Sequence, residues 1–289
     1  MKNTRKWLWY VIVILCTSAF FVYYLFPSDT VKKYITIHLN RAYPEIDIKI
    51  GYIKPVFPLG LRLYNVNFYH MKNDLLDAEQ IKITPGLLSL FRSRTIFFFN
   101  ARTCAGILKG RGEFTKNGPA RLIMMDGKLS DVGIEQISAV KQMTGHNVSG
   151  TLDGNFIYHS EKGSEGTLKA TLMVSDGELA LSTPFLTLDR LPFRKITTEL
   201  TMRNRKIELE RCIITGDEMD GSISGYVTLK QPPGKSYLKF LGTINPHPLF
   251  LEKLGKNIPM NLLPTKISGN SNVHIRIYGT LDNPRFFFN

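Results

Sequence analysis

The sequence predicts a mainly β protein in which one N-terminal transmembrane helix precedes a long, curled antiparallel β-sheet with a few short helices. Three observations predict this class. Residues 7–26 carry no charge. Apolar residues at every second position recur along the rest of the chain, which is the period of half-buried strands. The intervals between these runs contain turn signals and are mostly too short for the helical crossovers that parallel strands need.

The uncharged run at residues 7–26 predicts a membrane span. A helix rises about 1.5 Å per residue, so twenty residues cover about 30 Å, the thickness of a bilayer's hydrocarbon core. Three cations precede the span and predict a cytoplasmic N-terminus: Lys2, Arg5 and Lys6. Aromatic residues, which favour the two membrane interfaces, lie at both ends of the run. The predicted anchor residues are Trp7, Trp9, Tyr10, Tyr23, Tyr24 and Phe26.

A cleaved secretory signal is the alternative for this segment. Such a signal has a shorter apolar region, commonly about 7 to 15 residues, followed by small residues at the cleavage site. The small cluster Thr17-Ser18-Ala19 lies inside the run and is followed by aromatic residues. We therefore predict an uncleaved anchor, with residues 1–6 as a cytoplasmic tail and residues 27–289 as an extracytoplasmic domain.

An amphipathic helix is predicted immediately after the span, over residues 29–42. Ser28 or Asp29 can cap it through a side-chain oxygen. Its apolar residues recur at helical spacing, and they are Val31, Tyr34, Ile35, Leu39 and Ala42. The helix is expected to cover one end of the domain core, and contact with the membrane surface is the alternative.

The strand pattern begins at Ile46, Ile48 and Ile50 and continues through Leu59, Leu61 and Leu63. Further predicted strands are 81–83, 96–99, 108–114, 152–158, 168–174, 196–202, 207–209, 223–229, 238–244 and 273–277. Turns are predicted at 116–118, 161–163, 176–177, 203–205 and 232–234. Three short helices are predicted at 85–91, 134–143 and 246–254. Glycines recur within strands, as in Gly106-Ile-Leu-Lys-Gly110, and predict either bends that curl the sheet or ordinary hairpin ends.

Charge and cysteine content leave two questions open. The net charge of +13 suits anionic lipid headgroups or nucleic acid. Membrane lipid is the favoured partner, and no nucleic acid is expected, because the cations are scattered singly and the predicted compartment contains little nucleic acid. Outside the span, Cys104 and Cys212 are either a disulfide pair or two buried thiols.

The motifs that mark enzymes are missing from the sequence. It has no nucleophile elbow, no phosphate-binding glycine loop, no His-Glu-x-x-His and no paired-cysteine metal framework. The six histidines are dispersed. Asp217, Glu218 and Asp220 form one acidic cluster, which is better explained as a solvated turn than as a metal site. We therefore expect a protein that is not an enzyme and has no cofactor.

The apolar face of so long a sheet must be covered by a second layer or by a ligand. The sheet either folds over on itself as a sandwich or curls into an open trough that could hold acyl chains or a partner's apolar segment. The candidate trough-lining residues are Ile48, Leu61, Leu63, Phe99, Phe156, Leu172, Val227 and Phe240.

Several short motifs occur in an order that resembles the type II secretion system protein N (GspN) family and, more distantly, the AsmA superfamily. After the span and its short helix come Ile-Lys-Pro-Val-Phe-Pro-Leu-Gly-Leu at 53–61 and Leu-Leu-Ser-Leu at 87–90. Gly221-Ser-Ile-Ser-Gly225 and Gly279-Thr-Leu-Asp-Asn-Pro284 follow. The resemblance extends over essentially the whole chain, and its weight lies in the order and spacing of the motifs.

The resemblance implies a single-pass protein of the bacterial inner membrane, with a cytoplasmic N-terminus and a periplasmic β-rich body. It implies an accessory component of the machinery that exports folded proteins across the outer membrane, with other secretion-system components as partners. The AsmA likeness implies a trough-shaped sheet that handles lipid, with phospholipid as the ligand. The body is too short to cross a periplasm as one copy. The family offers no catalytic residues.

Overall fold

A computed structural model describes the backbone of residues 2–42, 44, 46–70, 73–115, 122–144, 147–160, 166–185, 188–248 and 272–288. Within these ranges, the side chains of residues 2–5, 8, 15, 19, 22, 42, 90, 142–144, 181–185, 188, 189, 233, 286 and 288 lie outside the description. The predicted turns at 116–118 and 161–163 and most of the predicted helix at 246–254 also lie outside it.

Two helices begin the chain, α1 at Lys2–Tyr24 and α2 at Ser28–Ala42. The predicted helix at 29–42 is confirmed and begins one residue earlier. Asp29 in its first turn and Arg41 in its last turn complement the helix dipole. Within the described part of the chain, none of the helices has the length and apolarity required to cross a membrane.

Fourteen strands follow. They are β1 Ile46–Pro55, β2 Leu61–His70, β3 Asn73–Pro85, β4 Arg94–Thr103, β5 Gly106–Thr115, β6 Leu122–Gly133 and β7 Val148–His159, then β8 Thr167–Phe185, β9 Leu188–Arg203, β10 Lys206–Thr215, β11 Met219–Thr228, β12 Tyr237–Pro246, β13 Val273–Thr280 and β14 Asn283–Phe288.

The strands form one antiparallel sheet in which each strand pairs with its neighbours in the sequence, from β1 at one edge to β14 at the other. The predicted antiparallel meander is therefore confirmed for the described strands. Hairpins suffice for this topology because antiparallel neighbours need only a short connection.

The predicted turn at Asp176-Gly177 is wrong, because both residues lie inside β8. Asp176 adopts a left-handed conformation (φ 50°). The pairing of β7 with β8 shifts register at this point, because two steps along β7, from Thr151 to Ser149, match three steps along β8, from Ser175 to Glu178. β8 therefore has a bulge beside Asp176. A turn signal and a bulge share the same residue types, since both need positive φ. The turn predicted at 203–205 is confirmed, with positive φ at Asn204 and Arg205.

Two of the predicted helices are present in altered form. The first is a 3₁₀ turn at Leu87–Phe91. The second is divided into a 3₁₀ turn at Ile134–Gln136 and the short helix α3 at Ser138–Thr144. Ile137 separates the two because its backbone is extended (φ −85°, ψ 98°), which ends the first helical turn.

The main core lies between α2 and the first strands. Ile53, Val66 and Ala78 are its most buried members, at 1–3% exposure. Side chains from the α1–α2 connection and α2 pack onto it, namely Phe26, Val31, Ile35 and Leu39. Asn40 fixes the far end of α2, because its side chain accepts a hydrogen bond from Ile48 N (3.1 Å) and donates one to Asp47 Oδ1 (2.9 Å).

The sheet curls strongly along its length. His70 and Asn73, at one end of β2 and β3, line the same 540 Å³ cavity as Arg205 and Leu229, which lie at the opposite hairpin end of β9 to β11. In a flat meander these two ends would lie on opposite sides of the sheet. The accumulated strand twist brings them together.

Candidate apolar binding face

One face of the sheet is apolar from edge to edge. Directly paired residues of neighbouring strands lie on the same face, so the strand register defines rows that cross the sheet. One row contains Leu61, Ile83, Phe99, Gly110, Gly127, Phe156, Ala170, Leu200, Leu209, Gly225, Phe240 and Ile277. The next row contains Leu63, Ile81, Ala101, Leu108, Leu129, Gly154, Leu172, Thr198, Cys212, Ile223, Gly242 and Ile275.

Glycines on this face lie beneath large side chains of the next strand. A methyl group at Gly127 would lie 2.6 Å from Phe156 Cζ, and one at Gly225 would lie 2.7 Å from Phe240 Cδ1. Gly110 is covered by Phe99, its direct partner, in the same way. Two of the glycines predicted as bends or hairpin ends, Gly110 and Gly225, therefore serve close packing, since only a residue without Cβ admits the neighbouring ring. Gly106 and Gly279 lie at hairpin ends, as predicted.

The eight predicted trough-lining residues divide into two groups. Ile48 and Leu63 are buried in the core beneath α2, and Leu61 packs against that core. These three do not line an open trough, because α2 covers the face over β1 to β3. The other five are half-buried and lie on the uncovered part of the same face: Phe99, Phe156, Leu172, Val227 and Phe240.

A cavity of 410 Å³ lies on the apolar face over β7 to β13. Its floor consists mainly of aliphatic residues and includes Ile196, Ile214, Ile223 and Ile244. Its wall comes from Leu179, Leu191 and Phe193, in the parts of β8 and β9 beyond the bulge beside Asp176. The bulge turns this end of the hairpin toward the floor. Two other cavities, of 540 and 620 Å³, are larger, but each lining includes several charged side chains, whereas the lining of the 410 Å³ cavity includes Asp220.

A small charged cluster borders the apolar cavity at Asp220. The carboxylate of Asp220 lies 3.0 Å from His247 Nε2, and His247 Nδ1 lies 2.9 Å from the Asp217 carbonyl oxygen. Both partners are acceptors, so the protonated imidazolium is the form that satisfies both ring nitrogens. The hydrogen bond to Asp220 raises the pKa of His247, and the same bond lowers the pKa of Asp220. Arg194 Nε completes the cluster at 2.9 Å from Asp217 Oδ1.

The predicted solvated turn at Asp217, Glu218 and Asp220 is therefore a structured turn with cationic partners. His247 is 27 residues from Asp220 in the sequence, and no local spacing indicated the pair. Among the described residues, no group of three or more histidine, cysteine or acidic side chains is placed to hold a metal ion.

Cys104 and Cys212 are separate buried thiols, so the disulfide alternative is wrong. Cys104 lies between β4 and β5, and Cys212 lies on the apolar face of β10. Burial raises the pKa of the Cys104 thiol. Each sulfur lies 3.5 Å from a threonine hydroxyl, of Thr103 and Thr198 respectively.

The opposite face of the first six strands carries a row of cations. The paired residues in this row are Lys54, Arg62, Lys82, Asn100, Lys109 and Lys128. Like charges directly opposite each other are destabilising. The sheet therefore has one apolar face and, over this region, one basic face.

The predicted anchor residues lie on or next to α1. Trp7, Trp9, Tyr10 and Tyr24 are exposed. Tyr23 contacts the Phe57 ring, with centroids 6.4 Å apart. Phe26 packs against the core beneath α2, where it has a structural role. Lys6 is exposed, and the side chains of Lys2 and Arg5 lie outside the described ones.

No protein-family model, curated protein or solved structure matches the chain.

Proposed function

We propose that this chain is a non-enzymatic, inner-membrane-anchored periplasmic accessory component of a type II protein secretion system. The observation that carries the proposal is the order of elements: one long helix, one short helix and fourteen consecutive strands in a single open sheet. This order agrees with the layout that the GspN resemblance implies.

The anchor in this proposal rests on the sequence. Residues 7–26 are uncharged and follow three cations, an arrangement typical of a span with a cytoplasmic N-terminus. α2 follows directly and packs against β1, which would hold the first edge of the sheet next to the bilayer.

In this proposal the sheet is the surface on which a partner protein docks. Beyond α2 its apolar residues, such as Phe99, Phe156 and Phe240, are half-buried. A contiguous apolar surface that stays partly accessible is typical of interaction sites. A partner's apolar segment laid across the rows would exclude water from Phe99, Phe156 and Phe240.

Gene deletion tests the proposal. We expect loss of the chain to impair the release of exported enzymes into the medium, to leave envelope lipid composition unchanged, and to be complemented by the full chain. Unimpaired release in the deletion strain would overturn the proposal.

The apolar cavity favours a second candidate function, the binding of a phospholipid acyl chain. Its 410 Å³ falls within the range of small-molecule sites, and its floor and wall are aliphatic apart from a few polar groups. A lipid bound there could place its acyl chain over Ile214 and its headgroup toward the charged cluster at Asp220.

Native mass spectrometry of the full chain extracted in detergent tests this candidate. A photo-crosslinker at Ile223, which lines the cavity, should capture phospholipid. A crosslinker at Ser224, the next residue on the opposite face, is the matched control. Equal capture at Ile223 and Ser224, or none at either, would remove the lipid-binding candidate.

A further inference from the structure

Two loops at one end of the sheet carry exposed apolar side chains beside the end of α1. We propose that the β1–β2 loop (56–60) and the β3–β4 loop (86–93), together called the apolar tips, insert into the headgroup region of an anionic phospholipid bilayer. The inference rests on the proposed membrane anchor and adds to it a second, independent contact between the folded body and the lipid.

The apolar side chains of the tips are far more exposed to solvent than side chains that pack against the protein. Phe91 is 92% exposed, Leu88 78% and Phe57 74%. Leu59 and Leu87 are exposed beside them. Isolated exposed apolar residues are common, but five on two adjacent loops form a contiguous candidate contact surface.

Hydrogen bonds hold the longer tip, the β3–β4 loop, in one conformation with its apolar side chains exposed. Ser89 is buried at the centre of the loop, where its hydroxyl donates to the Gly86 carbonyl oxygen (2.6 Å) and accepts from Ile96 N (2.9 Å). Gly86 N also donates to the Ile96 carbonyl oxygen (2.8 Å). The loop therefore presents Leu88 and Phe91 to the outside as a fixed conformation, and ordering it on binding would cost little entropy.

The two tips are neighbours at the end of the sheet where α1 ends. Leu61, the first residue of β2, pairs with Ile83 near the end of β3, so the loops lie on adjacent hairpins. The Phe57 ring contacts Tyr23 in the last turn of α1. A helix that leaves a bilayer at Tyr24 would therefore bring the tips to the lipid surface without any movement of the body.

The charge around the tips selects anionic lipid as the occupant. The sequence has no acidic residue between Asp47 and Asp74 or between Glu79 and Glu113, and both tips lie in these stretches. Cations flank the tips, namely Lys54, Arg62, Arg92 and Arg94. Aromatic and aliphatic side chains bordered by lysine and arginine are the composition of surfaces that bind at a lipid interface.

Depth-dependent fluorescence quenching tests the inference on the full chain. The chain is reconstituted into phosphatidylethanolamine–phosphatidylglycerol vesicles with brominated acyl chains, and an environment-sensitive fluorophore is attached to Leu88→Cys or Phe91→Cys in a Cys16→Ser background. Both positions are exposed, so neither change disturbs packing. The remaining cysteines, Cys104 and Cys212, are buried.

Asn73→Cys provides the matched control, because Asn73 is exposed at the opposite end of β3, a strand of 13 residues. We expect quenching roughly two-fold or more greater at Leu88 and Phe91 than at Asn73. The difference should diminish when phosphatidylcholine replaces phosphatidylglycerol. Quenching at both tip positions no greater than at Asn73 would overturn the inference.

The same fluorophore on native Cys16, which is exposed near the middle of α1, tests the anchor separately. Quenching at Cys16 without quenching at the tips rejects the tip inference and leaves the anchor standing. Quenching at the tips without quenching at Cys16 rejects the anchor and supports lipid contact by the tips alone. Quenching at neither position rejects both.

Discussion

The Phe156 ring on β7 lies over Gly127 on β6, where a methyl group at the glycine would be 2.6 Å from Phe156 Cζ. The two residues form a direct cross-strand pair. The Phe156 ring occupies the space that a side chain at Gly127 would fill. Phe240 and Gly225 repeat the arrangement on β12 and β11. The apolar face is thus built from complementary pairs, and its shape depends on the residue that has no side chain.

Gly127→Ala should destabilise the protein, because the added methyl group collides with Phe156 and approaches the Lys109 carbonyl oxygen at 3.2 Å. Overpacking of this kind costs about 1–3 kcal/mol. Denaturant unfolding in detergent measures the change. Gly112→Ala is the control on the same face, since its nearest neighbour is the Phe114 ring at 3.3 Å, a side chain that can move. Equal stability of the two variants would contradict the packing account.

The His247–Asp220 pair predicts a pH-dependent local structure. Because the pKa of His247 is raised, its contribution to stability is complete below the ordinary value of about 6.5 and is lost as the pH rises through the raised value. Because the pKa of Asp220 is lowered, the contribution also disappears in acid as the pH falls through the lowered value. Asp217 and Arg194 are the other charged groups that face the pair.

Hydrogen exchange at Gly216 and His247 measures this effect, since Gly216 N donates to Asp220 and His247 N donates to the Glu218 carbonyl oxygen. Protection at these amides, corrected for the intrinsic exchange rate, should fall as the pH rises above the raised pKa of His247. The variant His247→Asn should show weaker protection with little dependence on pH in that range. Unchanged pH dependence in His247→Asn would contradict the assignment.

The basic row predicts that one charge reversal stabilises the sheet. Lys109 lies directly opposite Lys128, and Lys109→Glu converts a like-charge pair into an opposite-charge pair. Cross-strand charge pairs contribute roughly 0.2–1 kcal/mol, and the gain should diminish at high salt. The change in urea midpoint measures it.

Lys169→Glu on the same face provides the control for the reversal, because Lys169 pairs with uncharged Ile157 and Thr201. It should give no gain in stability. An equal gain from both reversals would show that net charge, and not the row, determines the effect.

Cys104 and Cys212 are predicted to behave as two protected thiols. In the detergent-solubilised native chain, a maleimide should modify both slowly, because both are buried and burial raises the pKa of the Cys104 thiol. Unfolding without reductant should expose all three cysteines to the reagent. Recovery of a single reactive thiol after unfolding would indicate a disulfide and contradict the structure.

The sheet could be predicted from the sequence because apolar and polar residues alternate in most strands. The short turn signals between the strands favoured a meander. The register could not be predicted, because it depends on which residues face each other across strands. That is why the aliphatic cavity floor at Ile214 and Ile244 was missed.

Two further differences have physical reasons. Ile48 and Leu63 alternate like residues of an open face, but α2 covers them, and only the tertiary packing of a helix reveals this. His247 appeared as an isolated histidine because its carboxylate partner, Asp220, lies near the start of β11, 27 residues away. The resemblance to the GspN family supplied an expectation of function that neither alternation nor composition contains.

The central claim, that the chain works as part of a secretion apparatus, is tested most directly by purifying the full chain from the inner membrane after in-cell crosslinking at Phe240. Phe240 lies on the uncovered apolar face, and Leu241, the next residue on the opposite face, is the control position. The account predicts that components of the type II secretion machinery are crosslinked from Phe240 and not from Leu241. Recovery of none of those components, with release of exported enzymes intact, would contradict it.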